Sequence, residues 1–123
     1  MKTRILVIDD DELFRDGICM ELDLEGFEVI AASNGKCGFE LAKKKLPDLI
    51  ISDVNMPGMD GYETVRLLST DNRTSTIPII MMTGLTANYE QLRQGINIGV
   101  IENIAKPFTR NDLLKVISSK LQK

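Results

Sequence analysis

The residues with the chemistry to define a function are Asp9, Asp10, Asp53, Thr83 and Lys106, and each stands where an apolar run ends. Asp53 follows Leu49-Ile50-Ile51-Ser52 and precedes Pro57, Gly58 and Gly61. A short β-branched run bounded by turn formers reads as a buried strand. Asp53 is therefore placed at a strand's mouth, facing a loop that proline stiffens and glycine lets turn. On that stretch alone it reads equally as a turn residue or a helix cap. Asp9 and Asp10 follow Arg4-Ile5-Leu6-Val7-Ile8, Thr83 follows Ile79-Ile80-Met81-Met82, and Lys106 follows the run at 98–104. Taken singly, Asp10 is a cap, Thr83 a turn hydroxyl and Lys106 a solvated charge. Together they are harder to dismiss, because a parallel sheet would gather all of them at one edge. Carboxylates brought together repel: at about 4 Å and an effective dielectric near 20, each pair costs on the order of 4 kcal/mol. Lys106 offsets part of this, and a hard divalent cation suits the remaining oxygen donors, Mg2+ above a soft metal. Mg2+ takes one or two carboxylates, several waters and a phosphate. In that setting Asp53 is a nucleophile toward phosphorus, forming an acyl phosphate. Lys106 and the Thr83 hydroxyl would neutralise the phosphoryl oxygens.

The elements that must position these groups alternate along the chain. Strands are expected at 4–8, 27–32, 48–53, 78–82 and 98–104. Helices are expected at 12–25, 36–45, 61–70, 86–95 and 109–122. The first helix carries Leu13, Phe14, Ile18 and Leu22 at helical spacing, with Asp10 or Asp11 as N-cap and Gly26 at its end. Phe39, Leu41 and Ala42 serve the second helix, which Pro47 stops. Tyr62, Val65 and Leu68 serve the third, and Leu113, Leu114, Ile117 and Leu121 the last. The segment 86–95 has little beyond Tyr89 and Leu92 to bury and is expected to pack least firmly. Strands alternating with helices call for an α/β fold: a doubly wound, five-stranded parallel sheet with five flanking helices. Its expected order is the flavodoxin-like 2-1-3-4-5, with ligands bound outside the strands' carboxyl ends between strands one and three.

The 123 residues are expected to form one domain, 1–123. Hydrophobic residues at 43% and charged residues at 27% are ordinary for a soluble globular protein. A net charge of −3 argues against direct nucleic-acid binding. No apolar run approaches a membrane span, and the cytoplasm is the default location. The sequence contains no histidine, which excludes Ser-His-Asp and Cys-His centres and histidine metal ligands. Any phosphohistidine must come from another molecule. Cys19 and Cys37 lack metal or redox spacing and are expected to be small buried apolar residues within helices.

The motifs Val7-Ile8-Asp9-Asp10-Asp11, Asp48 to Gly61, Met82-Thr83-Gly84 and Ala105-Lys106-Pro107-Phe108, in this order, are similar to those of the receiver domain of bacterial two-component response regulators. The resemblance covers essentially the whole chain. It implies that Asp53 accepts a phosphoryl group from a phosphohistidine on a histidine kinase or histidine phosphotransfer protein. It implies that Asp9 or Asp10, Asp53 and the backbone carbonyl of Asn55 hold Mg2+, with Asp10 the more direct ligand of the pair. Thr83 and Lys106 would bind the phosphoryl group, and a cis Lys106-Pro107 bond would aim the lysine. The implied function is a phosphorylation-operated switch acting through the face of the fourth helix, fifth strand and fifth helix, on a downstream protein or a fused output domain. Such a domain assists its own phosphorylation and dephosphorylation and is not otherwise an enzyme. One position departs from the pattern. Three residues before the lysine the family usually has an aromatic, whose inward rotation accompanies movement of the threonine; here it is Asn103. The departure implies either altered coupling of site to surface or a tolerated surface substitution. A docking-only pseudoreceiver usually lacks one of the key residues, and none is missing here. An aspartyl-phosphate phosphohydrolase would need an aspartate where Asn55 stands, and a flavin's phosphate would be repelled by Asp9-Asp10-Asp11-Glu12 after the first strand.

Overall fold

Leu6 and Ile8 pack on one side of a sheet, Ile5 and Val7 on the other, and the rest of the chain follows that division. The computed structural model describes residues 2–54, 56, 58, 61–83 and 101–121. Their order is β1 (Arg4–Ile8), α1 (Glu12–Leu24), β2 (Glu28–Ala32), α2 (Gly35–Lys45), β3 (Leu49–Asp53), α3 (Gly61–Thr70), β4 (Ile79–Thr83), β5 (Ile101–Ala105) and α4 (Arg110–Leu121). All strand pairs are parallel, and the sheet order is β2-β1-β3-β4-β5. The expected architecture is therefore present, with four helices among the described residues. The helix expected at 86–95, the strand start at 98–100, and Asn55 and Pro57 lie outside them.

Helices cover both faces, so the central strands read as continuous apolar runs rather than alternating ones. β3 and β4 are buried along their whole length. Ile50, Ile79 and Met81 join Leu6 and Ile8 against Ala42 of α2 and Tyr62, Val65 and Leu68 of α3. Leu49, Ile51, Ile80, Met82 and Ile104 join Ile5 and Val7 against Ile18 and Leu22 of α1 and Leu113 and Ile117 of α4. Full burial of each large aliphatic contributes roughly 1.5–3 kcal/mol, so this two-sided core fixes strand register before any site residue is considered.

Local chemistry sets the helix ends. The Asp11 carboxylate accepts from the Phe14 N–H at 3.2 Å and caps α1, and Gly26, at φ 95°, lets the chain turn away from its end. The Asn34 side chain accepts from the Cys37 N–H at 2.8 Å and caps α2. Leu46 takes a left-handed φ of 48° ahead of Pro47, closing that helix. Thr109 and Asp112 form a reciprocal box at the start of α4, the Thr109 N–H donating to Asp112 Oδ2 at 3.1 Å and the Asp112 N–H to Thr109 Oγ1 at 3.0 Å.

Three sequence expectations are corrected. Leu13 is 85% exposed and does not join the inner stripe. Phe14, Ile18 and Leu22 form that stripe, and one residue's rotation of about 100° carries Leu13 to the opposite side. The cysteines are not both buried: Cys19 is half-buried and Cys37 exposed. Gly35, Gly38 and Ala42 form the buried side of α2, and Cys37 lies off that line. The last strand occupies Ile101–Ala105, ending one residue later than expected.

Candidate functional site

A parallel sheet delivers every strand's carboxyl end to one edge, and β1 and β3 lie side by side there, at the reversal of strand order. Asp9 is held immediately beyond β1. Its N–H donates to the Ala32 carbonyl at 3.1 Å, its carbonyl accepts from Arg15 Nη1 at 2.7 Å, and its Oδ1 accepts from the Asp11 N–H at 2.9 Å. Asp53 is the last residue of β3, and its carbonyl accepts from Ser52 Oγ at 3.1 Å. Gly61 closes the loop after it by donating to the Val54 carbonyl at 2.9 Å. A Cβ at Gly61 would fall on the Asp53 carbonyl oxygen and lie 2.8 Å from Val54 Cα. Thr83 ends β4, and the Lys106 N–H donates to its carbonyl at 2.7 Å. The Lys106-Pro107 bond is cis.

One carboxylate oxygen from each of Asp9, Asp10 and Asp53 lies within 4.8 Å of the others. Asp9 and Asp53 are buried and Asp10 is exposed. Lys106 Nζ is 3.1 Å from Asp53 Oδ1 and 3.7 Å from Asp9 Oδ2. Burial pushes the Asp9 carboxyl above the usual carboxylate range, and the neighbouring Asp53 and Asp10 charges add to this; the Asp11 N–H and Lys106 oppose it. Asp9 Oδ2 is buried and accepts no hydrogen bond among the described residues. An orphaned buried oxygen in an all-carboxylate donor set, with more negative charge than one ammonium balances, fits a hard divalent cation. The Thr83 hydroxyl donates to the Ile104 carbonyl over 3.4 Å, long for such a bond and easily exchanged for a better acceptor.

Asp9, Asp10, Asp53 and Lys106 are thus brought together, and Thr83 is carried to the same sheet edge. The fifth expected contributor, the Asn55 carbonyl, lies outside the described residues. Asn103 is half-buried beside Met81 in the ladder, and its Oδ1 is buried without a hydrogen-bond partner among the described residues. Sequence reasoning missed two residues. Arg15 tethers the Asp9 carbonyl, and the Phe14 ring centroid lies 4.4 Å from Lys106 Nζ. Phe14 was legible only as an apolar helix position; that it stands four residues after Asp10, within reach of the same edge, was the available signal.

Fold and site define a class: a doubly wound five-stranded α/β domain with an acidic pocket and one lysine at the point where strand order reverses. The chain belongs to the two-component response regulator receiver domain family, whose pattern matches residues 5–118. It is similar to the DNA-binding dual master transcriptional regulator RpaA of Synechocystis sp., 34% identical over 120 residues, which are 98% of this chain and 49% of RpaA. It is also similar to Protein PilH of Pseudomonas aeruginosa, 33% identical over 118 residues, 96% of this chain and 97% of PilH. The structure of the Vibrio cholerae chemotaxis protein CheY4 superposes with a TM-score of 0.91 at 31% identity, over 98% of this chain and 100% of CheY4. The chain therefore spans about half the length of RpaA and nearly all of PilH. No helix among the described residues is long and apolar enough to cross a membrane.

Proposed function

We propose that this domain is a phosphorylation-operated switch whose phosphoacceptor is Asp53. The observation that carries the reading is the Asp53 carboxylate at the sheet edge, crowded by Asp9 and Asp10 and bonded by Lys106 Nζ at 3.1 Å. Asp9, Asp10 and Asp53, with the Asn55 carbonyl, would hold Mg2+, which supplies positive charge against the phosphoryl oxygens. An Asp53 oxygen attacks the phosphorus of a phosphohistidine. The new O–P bond forms as the N–P bond breaks, and the imidazole nitrogen keeps the bonding pair and takes a proton. Lys106 Nζ passes from the Asp53 carboxylate to a phosphoryl oxygen. The Thr83 hydroxyl gives up its long bond to the Ile104 carbonyl for another. Because the Lys106 N–H is bonded to the Thr83 carbonyl, movement at Thr83 is passed to the end of β5. The face of segment 86–95, β5 and α4 then changes its affinity for a downstream protein or a fused output domain. Asn103 replaces aromatic rotation in that coupling with a half-buried amide. The domain assists its own phosphorylation and dephosphorylation without otherwise turning over substrates, and it works in the cytoplasm without contacting nucleic acid or membrane.

The phosphodonor is a histidine kinase or histidine phosphotransfer protein, and α1 offers it a surface. Leu13, Met20 and Leu24 are 85%, 65% and 71% exposed and fall, with Gly17, at the 4-3-4 spacing of a helix-packing seam. Asp10, Asp11, Glu12 and Asp16 at the site end of that seam favour a donor helix with basic flanks.

Intact mass after incubation with acetyl phosphate and Mg2+ tests the reading. One added phosphoryl group, dependent on Mg2+ and absent in Asp53→Asn, is expected. No adduct from either acetyl phosphate or a phosphorylated histidine protein overturns it.

A further inference from the structure

We propose that Phe14 is a positioning residue for Lys106: its ring face holds the ammonium over the site whatever the charge on Asp53. The inference rests on the phosphoacceptor reading above and adds to it a residue that none of the site motifs contains.

The Lys106 ammonium lies 4.4 Å from the Phe14 ring centroid. That is well inside the roughly 6 Å over which a ring's negative face attracts a cation. The ring is itself fixed. Phe14 belongs to the inner stripe of α1, and Phe108 meets it edge to face, with centroids 6.0 Å apart and planes at 74°. Phe108 follows Lys106 by two residues, so one aromatic pair ties α1 to the segment that carries the lysine.

The need for such a contact comes from what happens to the others. Among the described residues the ionic partners of Lys106 are Asp53 and Asp9. Phosphoryl transfer converts an Asp53 oxygen into an acyl phosphate oxygen, and a divalent cation on these carboxylates competes with the ammonium for both. The lysine stem is flexible and its ammonium strongly hydrated; its side chain is 29% exposed. An ammonium held by these carboxylates alone would be released to solvent once a divalent cation takes up their charge, before a phosphoryl oxygen arrives to receive it. The Phe14 face is unaltered by either event. It keeps Nζ within reach while the carboxylates exchange partners. A leucine at the same place would fill the space but present no quadrupole, which separates this role from simple packing.

The test compares the full chain with Phe14→Leu and Phe14→Tyr. Two quantities are read: the proton shift of the Lys106 ε-methylene, assigned with Lys106→Arg, and the rate of Asp53 phosphorylation by acetyl phosphate. The expected result has three parts. The wild-type methylene is shifted upfield by the ring current. Phe14→Leu abolishes that shift and slows phosphorylation about three- to thirty-fold. Phe14→Tyr keeps the shift and restores the rate. If Phe14→Leu does not fold, Phe14→Met takes its place. The proposal is overturned by a wild-type methylene without the upfield shift, by loss of the shift at unchanged rate, or by a tyrosine variant as slow as the leucine one. Wild-type protein that accepts no phosphoryl group would instead sink the phosphoacceptor reading, with the methylene shift still reporting whether the contact exists.

Discussion

Two aspartates in this molecule each sit beside a cation and are driven in opposite directions. Asp71 lies in the turn after α3. Arg73 donates to it through Nη2 at 2.9 Å, Nε at 3.1 Å and its backbone N–H at 2.8 Å. Those bonds, the side-chain ones first, hold the Asp71 carboxyl down at about 2. Asp9 is buried, has two acidic neighbours, and meets its ammonium only at 3.7 Å. Its carboxyl is pushed up, chiefly by burial. The turn has matched its charge with donors and stays wet. The sheet edge has gathered charge that its own side chains do not balance. A structural ion pair is satisfied within the fold; the other is left to be satisfied from outside.

The largest expected effect follows from removing the lysine from the crowded edge. Lys106→Met should destabilise the protein at neutral pH by about 2 kcal/mol, below the full value for breaking a buried pair because the ammonium is partly exposed. Urea denaturation measures this, and Mg2+ should recover part of the loss. A smaller effect of opposite sign is expected at Asp9. Its carboxyl is raised in the fold, so folded protein keeps a proton that the unfolded chain has already released. Stability therefore falls as pH rises from the ordinary carboxylate range up to the raised value. Asp9→Asn should flatten that slope and stabilise the cation-free protein, by less than Lys106→Met destabilises it, while weakening the stabilisation that Mg2+ provides. The smallest effect belongs to the turn. Arg73→Ala should let the Asp71 carboxyl rise from about 2 towards its ordinary value, visible in an NMR titration of the side chain. The Asp71 contribution is present at neutral pH and fades as pH falls toward about 2, but the Arg73 side chain is largely exposed, so solvent screening keeps its loss small and the neutral-pH melting temperature should fall only slightly. A large loss at neutral pH on Arg73→Ala, or no gain on Asp9→Asn, would erase the contrast between the two sites.

Much of this was legible in the sequence because it depends on strands that are buried on both faces. Continuous runs such as Leu49-Ile50-Ile51 announce themselves, and once five of them are parallel, the residues that end them must share an edge. Asp9, Asp10, Asp53 and Lys106 were found that way. What was not legible depends on orientation around a helix. Leu13 and Phe14 are adjacent apolar letters, yet one faces solvent and the other faces Lys106. Cys37 is small and apolar by type but was placed by the Gly35-Gly38-Ala42 line that α2 turns inward. The box at Thr109 and Asp112 has a readable spacing, but it is a weaker signal than the apolar pattern that follows it.

The absence of a side chain at Gly61 has a consequence for variation. A β-carbon there would collide with the peptide that carries Asp53, an atom that cannot swing aside as a side-chain tip can. Position 61 is thus closed for reasons of space, not reactivity. In a library of substitutions, alleles at 53 and at 61 would share a phenotype while differing in cause: one loses the acceptor, the other displaces an acceptor that is still present.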